Sequence, residues 1–526
     1  MKAIFKYIFG ALACCSLASC NDYLEIYPEN SLPADKFWAT KADVESELMS
    51  GYYILRNSVV SNLIPWGEFR SGCLTSSLGT GTNILQKWEI KSSNSNYCSW
   101  ANMYRIVNTA NLVLEHASEA MENDDTYRQE ELNSHYCEAY FLRALAYFYI
   151  VRNWRDAPLA LEAYDTDEVP YALPKSSAAE ILAQIKADLY EAERLNAAKE
   201  VFETTWETKG RGTKWAIYAL MADVCLWNSD FDEAIKYADM ILNSTSPNAP
   251  RFMSSANRNS WFSMFNPGNS NESIFELQWN HEKYDAGIAQ SNDLPHIFNN
   301  VQLAGYSQYR MSDALLEEFQ QDYTDISMAY LGQPDMAVRT LYGTCSEISG
   351  TCGPYIWKYI GGTSRTDKRT ETYYDPNFII YRVAEIMLIK AEALVMKNLG
   401  GNATDYQTAI NLVNEIRKRT NLTPDESITA QSSAGDILDY ILSERLKELA
   451  AEGKSWYDML RLGHYTPSYG IDFKTRFLIN NVIKYNGTAS DSWIRSVLSN
   501  ENAWYLPITD NEIKYNQNLV QNPYYL

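Results

Sequence analysis

The chain has 526 residues and a formal net charge of −21, with 66 acidic against 45 basic side chains. So acidic a surface repels phosphate backbones, which argues against nucleic acid as a partner without identifying a ligand. Hydrophobic residues make up 46% of the chain, enough for a large core. Beyond residue 20 no segment approaches the roughly 18 uninterrupted apolar residues of a membrane-spanning helix.

Residues 1–19 read as an export signal. Lys2 and Lys6 supply the positive start, and "IFGALACCSLA" is an apolar run too short to cross a bilayer. The run ends in "LASC", which resembles the lipobox of bacterial lipoproteins. That resemblance implies that cleavage discards Cys14 and Cys15 and leaves Cys20 as an acylated first residue; two or more chains anchor stably where one does not. A plain secretory signal cleaved nearby is the alternative. Six further cysteines follow: Cys73, Cys98, Cys137, Cys225, Cys345 and Cys352. Cys137 and Cys225 fall on apolar helical faces and read as buried thiols. Cys345 and Cys352, in "CSEISGTC", are spaced to close a short loop, which an exported compartment permits; the sequence leaves the pairing open.

The body reads as helices in pairs. "DKFWATKADVESELMSGYYILRN" predicts a helix from after Pro33 to about Asn57, and a loop-rich stretch is expected over 58–99. "SWANMYRIVNTANLVLEHASEAM" and "EELNSHYCEAYFLRALAYFYIVRNW" follow, the second with Ala139, Leu142, Ala146 and Tyr149 at helical spacing. In "SAAEILAQIKADLYEAERL" the stripe is Ile181, Ile185, Leu189 and Ala192.

A repeat emerges next. In "KWAIYALMADVCLWNSDFDEAIKYADMIL" Tyr218 precedes Ala222, and Ala234, Ala238 and Ile241 follow on a second helix. Small residues at such a crossing let antiparallel helices approach, while aromatics fill the groove, as in tetratricopeptide pairs. The same pattern is read in "AYFLRALAYFYIVRNWRDAPLAL", with "APLAL" as its second helix, and in "AEIMLIKAEALVMKNLGGNATDYQTAINLVNEIRKR". Residues 245–375 change character: rich in Asn, Ser, Gly and Tyr, they hold expected short strands at "ESIFELQW" and "YIWKYIGG". Loops carry function more often than scaffolds, so candidate ligand contacts are sought among Trp261, Trp279, Tyr306, Tyr309 and Trp357, and among Trp66, Phe69 and Trp88 of the earlier loop.

Three stretches stand in order along the chain. "CNDYLEIYPENS" follows Cys20. "YRVAEIMLIKAEAL" precedes "ERLKELAAEGKSWYDMLRLG", which carries Glu444-Arg445, Glu448, Glu452-Gly453, Lys454, Trp456, Asp458, Arg461 and Gly463. "YLPITDNEIKYNQNLVQNPYY" closes the chain. Together they resemble the SusD/RagB family of outer-membrane nutrient-binding lipoproteins from Bacteroidetes. Two departures are an inserted Ser455 and Met459 in place of leucine. The resemblance implies an all-α, tetratricopeptide-like superhelix with a long loop-rich excursion carrying a few short β-strands. One domain over 20–526 is expected: scaffold at about 34–244 and 376–465, ligand-binding excursions at about 58–99 and 245–375, and a closing segment over 466–526.

The resemblance also implies a function. Such proteins are not enzymes and carry no cofactor; lipid-anchored to the outer membrane and facing outward, they capture oligosaccharides, or peptides in the RagB branch, and deliver them to a SusC-like TonB-dependent β-barrel. Carried over residue by residue, the Gly-aromatic loop in "GYSQYRMSDALLEEF" makes Tyr306 the first expected stacking platform, and "IPWGEFRSG" offers Trp66, Phe69 and Arg70. Trp88 and Trp279 complete the candidate ligand-binding set, while Trp215, Trp227 and Trp456 read as packing on scaffold helices. A periplasmic tetratricopeptide scaffold that binds only proteins is the rival from another class.

Catalytic and metal readings find little support. There is no HExxH and no CxxC pair, and "GTGTN" at 79–83 lacks the Lys-Ser/Thr of a phosphate-cradling loop. The charged run over 444–463 reads instead as structural ion pairs. Arg445 lies at the edge of an apolar helical face and needs a carboxylate, with Glu448 in helical reach and Glu385 and Glu392 available on another helix. Glu138 and Arg143 are read likewise.

Overall fold

The computed structural model describes residues 37–76, 83–165, 169–254, 261–279, 293–298, 309–324, 345–346, 351–352, 356–361, 376–420 and 422–526. Helix α1 (Lys41–Ser58) starts one turn later than its pattern suggests, at Thr40, whose N–H is capped by the Asp43 carboxylate (2.7 Å). It does not end in a loop. Two π-helical turns, Val59–Leu63 and Pro65–Phe69, carry the chain onward, and strand β1 (Leu74–Ser76) follows. Helices α2 (Ala101–Asn123) and α3 (Gln129–Trp154) pack with α1 as an antiparallel layer. From Cys137 onward every residue of α3 but Tyr140 is buried, so the expected stripe widens to the whole circumference and α3 runs through the core.

One repeat departs from expectation after α3. Arg155 turns left-handed (φ 66°), and Ala157–Pro158 pairs as strand β2 with β3 (Lys175–Ser176) instead of starting a helix. The Tyr147 hydroxyl takes the Ala160 N–H (2.7 Å) and donates to the Ala160 carbonyl (2.8 Å), satisfying the backbone in an extended form that Pro158 favours. The partner of α3 is therefore α4 (Ala178–Leu195), capped by Ser177 and Glu180. After the short α5 (Thr205–Gly210), helices α6 (Lys214–Trp227) and α7 (Phe231–Leu242) form the predicted pair, with Ala222, Ala234, Ala238 and Ile241 fully buried.

Within residues 245–375, β4 (Ser273–Leu277) is a strand as expected. "YIWKYIGG" is not: Trp357–Ile360 is helical. Strand β5 (Tyr309–Met311) pairs with β1, setting Leu74 opposite Met311, and helix α8 (Asp313–Thr324) follows. Strands β6 (Cys345–Ser346) and β7 (Thr351–Cys352) form a ladder in which Cys345 and Cys352 are register partners. Strand β8 (Phe378–Arg382) pairs antiparallel with β4, so the excursion is sewn to the scaffold at both ends. Helices α9 (Val383–Lys397) and α10 (Ala403–Arg419) form the third repeat; α11 (Ala434–Glu448) and α12 (Ser455–Gly463) carry the charged run. No helix among the described residues is long and apolar enough to cross a membrane.

Buried charge holds these elements in register. Arg382, at the end of β8, reaches Glu448 (2.6 Å), Glu452 (2.9 Å) and Glu272 (3.4 Å). Arg419 pairs with Glu272 (2.5 Å) and with Glu448, and Lys358 pairs with Glu452 (2.6 Å). A second set joins Arg461 to Glu392 (2.7 Å) and Asp458 (3.0 Å), Arg445 to Asp458 (2.8 Å) and Glu385 (3.6 Å), and Lys454 to Glu385 (3.0 Å). The structural reading of this run holds, but its partners differ from those closest in sequence: Glu448 pairs with Arg382 and Arg419, not Arg445. Likewise Arg143 bonds Asp188, while Glu138 bonds Arg211.

Removing one member leaves an uncompensated buried charge, at a cost of about 3–5 kcal/mol. Arg382→Met is therefore expected to lower stability by that amount in chemical unfolding; an unchanged midpoint would contradict the role given to the lattice.

Candidate ligand-binding site

Six of the sequence-selected contacts are withdrawn from solvent. Trp66 and Phe69 lie in the second π turn and are fully buried: the indole N–H of Trp66 donates to the Tyr97 carbonyl (2.7 Å), and Phe69 meets Tyr309 edge-on at 4.7 Å. Arg70, also fully buried, donates to the carbonyl of Trp504 (2.9 Å) and to Asn153 Oδ1, with its guanidinium 4.7 Å over the Trp456 ring. No carboxylate among the described residues pairs with it, and burial lowers its pKa to about 10. Trp88, in a left-handed conformation (φ 57°), packs edge-on against Trp456. Trp261 and Tyr309 are buried too, as is Trp456, expected as packing. The 58–99 segment, read as a ligand-binding excursion, supplies structural wall at these positions. Tyr306 and Cys20 lie outside the described residues, as does the side chain of Trp357.

The cause is a close contact between distant segments. A side-chain carbon on Gly67 would stand 2.0 Å from the Gly453 carbonyl oxygen, and Gly453 is left-handed (φ 75°), so both glycines are obligatory. Beside them the Glu68 carboxyl accepts from the N–H groups of Gly453 (2.8 Å) and Lys454 (3.2 Å) and from the Ser455 hydroxyl (2.6 Å). The inserted Ser455 thus has a role: it ties the charged run to the π turn.

Trp279 remains accessible. It lies two residues past β4, half-buried, its backbone N–H donated to Asn377 Oδ1 (3.1 Å), with the Arg56 guanidinium 5.7 Å from its ring. Next to it opens a cleft of about 370 Å³. Met49, Tyr52, Tyr53 and Arg56 come from α1 at positions i, i+3, i+4 and i+7, one helical face; α5 adds Trp206 and Gly210, and Leu277 and Gln278 come from the end of β4. Tyr53 is 56% exposed and Trp206 40%, so two rings face the opening. Gly210 is needed where a Cβ would come 2.8 Å from Gln278. Gln278 is oriented by its own bonds, donating to Asn269 Oδ1 (2.7 Å) and accepting from Asn377 (3.0 Å). At the inner wall the Tyr52 hydroxyl donates to Glu138 (2.9 Å), and Arg211 makes two bonds to the same carboxylate (2.9 and 2.7 Å). Sequence reading missed Tyr53, Arg56 and Trp206; the available signal was two aromatic side chains and an arginine on one face at the end of α1.

One group of potential metal ligands occurs among the described residues, Cys225, Asp230 and Glu233. The ammonium of Lys186 already sits between the two carboxylates (2.8 and 2.6 Å), which fills the cation's place.

A tetratricopeptide-like helical scaffold with a sewn-in excursion and an aromatic cleft defines the class. The SusD family model matches residues 340–525, and a second model, described as starch-binding associating with outer membrane, matches residues 22–226. The chain is 28% identical to SusD-like protein P38 of Formosa agariphila over 85% of its own length and 88% of the relative's. A SusD-like protein of Bacteroides ovatus is 25% identical over 71% and 67%. Among solved structures, a SusD superfamily protein of Bacteroides thetaiotaomicron superposes with a TM-score of 0.70 at 22% identity, covering 93% of this chain and 99% of that one. A laminarin-binding SusD-like protein gives 0.64 at 20% identity, with 92% and 99% covered. Two family models, at either end of the chain, and these relatives make the chain similar to SusD-like proteins over most of its length.

A buried group near the core gives a pH dependence. Burial raises the Glu68 carboxyl from 4.5 to about 7, so the fold favours its protonated form, and stability present below pH 4.5 is lost as pH rises to 7. That contribution is on the order of 3 kcal/mol. Glu68→Gln is expected to gain stability relative to wild type as pH rises from 4.5 to 7, measured by unfolding midpoints at several pH values. A difference independent of pH would refute it.

Proposed function

We propose that this protein captures oligosaccharides at the cell surface, without performing chemistry on them, and passes them to a SusC-like TonB-dependent β-barrel. The likeness to SusD-like proteins and the laminarin-binding neighbour support the ligand class, and the name of the second family model supports outer-membrane association. The observation that carries the reading is the cleft with Tyr53 and Trp206 exposed at its mouth and Gln278 held in fixed orientation. The C–H face of a pyranose is apolar and is buried by stacking on indole or phenol, while oriented amides and guanidinium groups bond its hydroxyls. A polymer tolerates weak affinity per unit, because linked units raise the effective concentration. Trp279 extends the platform, the family resemblance assigns Tyr306 to ligand stacking, and acylated Cys20 tethers the whole to the outer membrane.

Trp206→Ala and Tyr53→Ala are each expected to weaken polysaccharide binding about tenfold or more in affinity electrophoresis. Unchanged binding moves the site elsewhere, and capture of peptides alone ends the sugar assignment. In cells, Cys20→Ser is expected to abolish labelling by a fatty-acid probe, and surface protease should remove the tethered wild-type protein.

Register in the β6–β7 ladder supports a further pairing, because cross-strand partners stand at a Cα separation a disulfide can span. We propose that Cys345 and Cys352 are bridged. Alkylation of denatured, unreduced protein should spare both while labelling Cys73; labelling of all three refutes the bridge.

A further inference from the structure

Charge in the cleft runs against the charge of the chain. The protein carries −21 overall, yet among the described residues the cleft is lined by two guanidinium groups and by no carboxylate. Arg211 is neutralised by its two bonds to Glu138, with Glu45 also 3.8 Å away. Glu45 in turn contacts His135 (3.6 Å) and lies about three turns of α1, roughly 16 Å, before Arg56. Arg56 is different. One Nη donates to the Gln278 carbonyl (3.2 Å), and its flat faces lie 5.1 Å from the Tyr53 ring and 5.7 Å from the Trp279 ring. Among the described residues no carboxylate pairs with it, and the hydrogens of its second Nη meet no protein acceptor.

This is a cation held still by two rings and one carbonyl, half-buried, with bonding capacity left over. Guanidinium is weakly hydrated, and its planar fork fits a two-oxygen acceptor, so a fixed arginine favours an oxyanion over a hydroxyl. Holding it in place beforehand also removes the entropy that a free side chain would lose on binding. The rings beside it would stack the sugar that bears the anion.

We propose that the cleft selects acidic glycans, with Arg56 taking the carboxylate of a uronic acid or the sulfate of a sulfated sugar while Tyr53, Trp206 and Trp279 stack the ring. This rests on the cleft being the glycan site.

The test is a binding panel on the full mature protein: polygalacturonate and its fully methyl-esterified form, a sulfated galactan and its desulfated form, and neutral starch and laminarin. One acidic member of a matched pair is expected to bind about tenfold more tightly than its neutral partner. Which pair shows the gap distinguishes carboxylate from sulfate. Arg56→Met should close the gap by weakening the acidic member more than the neutral one, Arg56→Lys should restore part of it, and added salt should narrow it in wild type. Equal affinities within both pairs, or a gap that survives Arg56→Met, overturn the selectivity; if Trp206→Ala still weakens binding, the glycan reading stands. Binding by no glycan in the panel, or binding indifferent to Trp206→Ala and Tyr53→Ala, overturns both. Thermal midpoints of the variants, expected near wild type for exposed Trp206, separate lost binding from lost fold.

Discussion

The structure depends on buried charge in balance. Around Arg382, three cations (Arg382, Arg419 and Lys358) face three carboxylates (Glu272, Glu448 and Glu452) with essentially no exposure to solvent. Each ion is costly to desolvate, so the set is tolerable only when complete. Its members come from β8, α10, α11, the turn after α11, the helical turn at 357–360 and the residue before β4. Completing the set therefore requires the inserted region, the third repeat and the charged run to dock in one arrangement. Packing between apolar faces is forgiving of small slips; this lattice is not.

A second constraint follows from it. Docking of α11 and α12 brings the turn at Gly453 against Gly67, so closely that position 67 admits no side chain, while the left-handed backbone (φ 75°) reserves position 453 for glycine. Glu68 then fills the gap with three accepted hydrogen bonds, and the π turns that carry Trp66, Phe69 and Arg70 are pressed into the interior. Arg70 shows how a cation is accommodated without a carboxylate: three neutral oxygens and an aromatic face stand in for the counter-ion. What looks in sequence like a ring-bearing binding loop is thereby spent on holding the N-terminal helices to the C-terminal motif. The cleft lies beyond this contact, where α1, α5 and the end of β4 meet around Gly210. Its rigidity is inherited, since Gln278 is oriented through Asn269 and Asn377, and Asn377 also bonds buried Glu276.

Much of the scaffold was legible because helix periodicity is a local property. The stripe Ile181, Ile185, Leu189 and Ala192 and the crossing alanines of α6 and α7 announce their faces within a few turns of chain, and all are buried as read. Where non-local bonds intervene the reading fails, as at Pro158, where Tyr147 holds the chain extended. The π turns were missed for a related reason: their wider winding moves buried positions off the 3.6-residue spacing. For the site, Trp279 was found because it follows a recognisable strand. Tyr53 and Arg56 were not, because a partly exposed tyrosine and arginine at a helix end are indistinguishable in sequence from ordinary surface residues.

By itself the sequence determined the helical class, two of the three repeat pairs, the family likeness and the structural nature of the charged run, all of which rest on spacing along the chain. Only the tertiary structure decided which carboxylate answers which guanidinium, which tryptophans are buried and which exposed, and that Arg56 stands beside two rings without an acidic partner among the described residues. Those facts depend on contacts between segments hundreds of residues apart, and exposure is a property of the folded surface that no local pattern encodes.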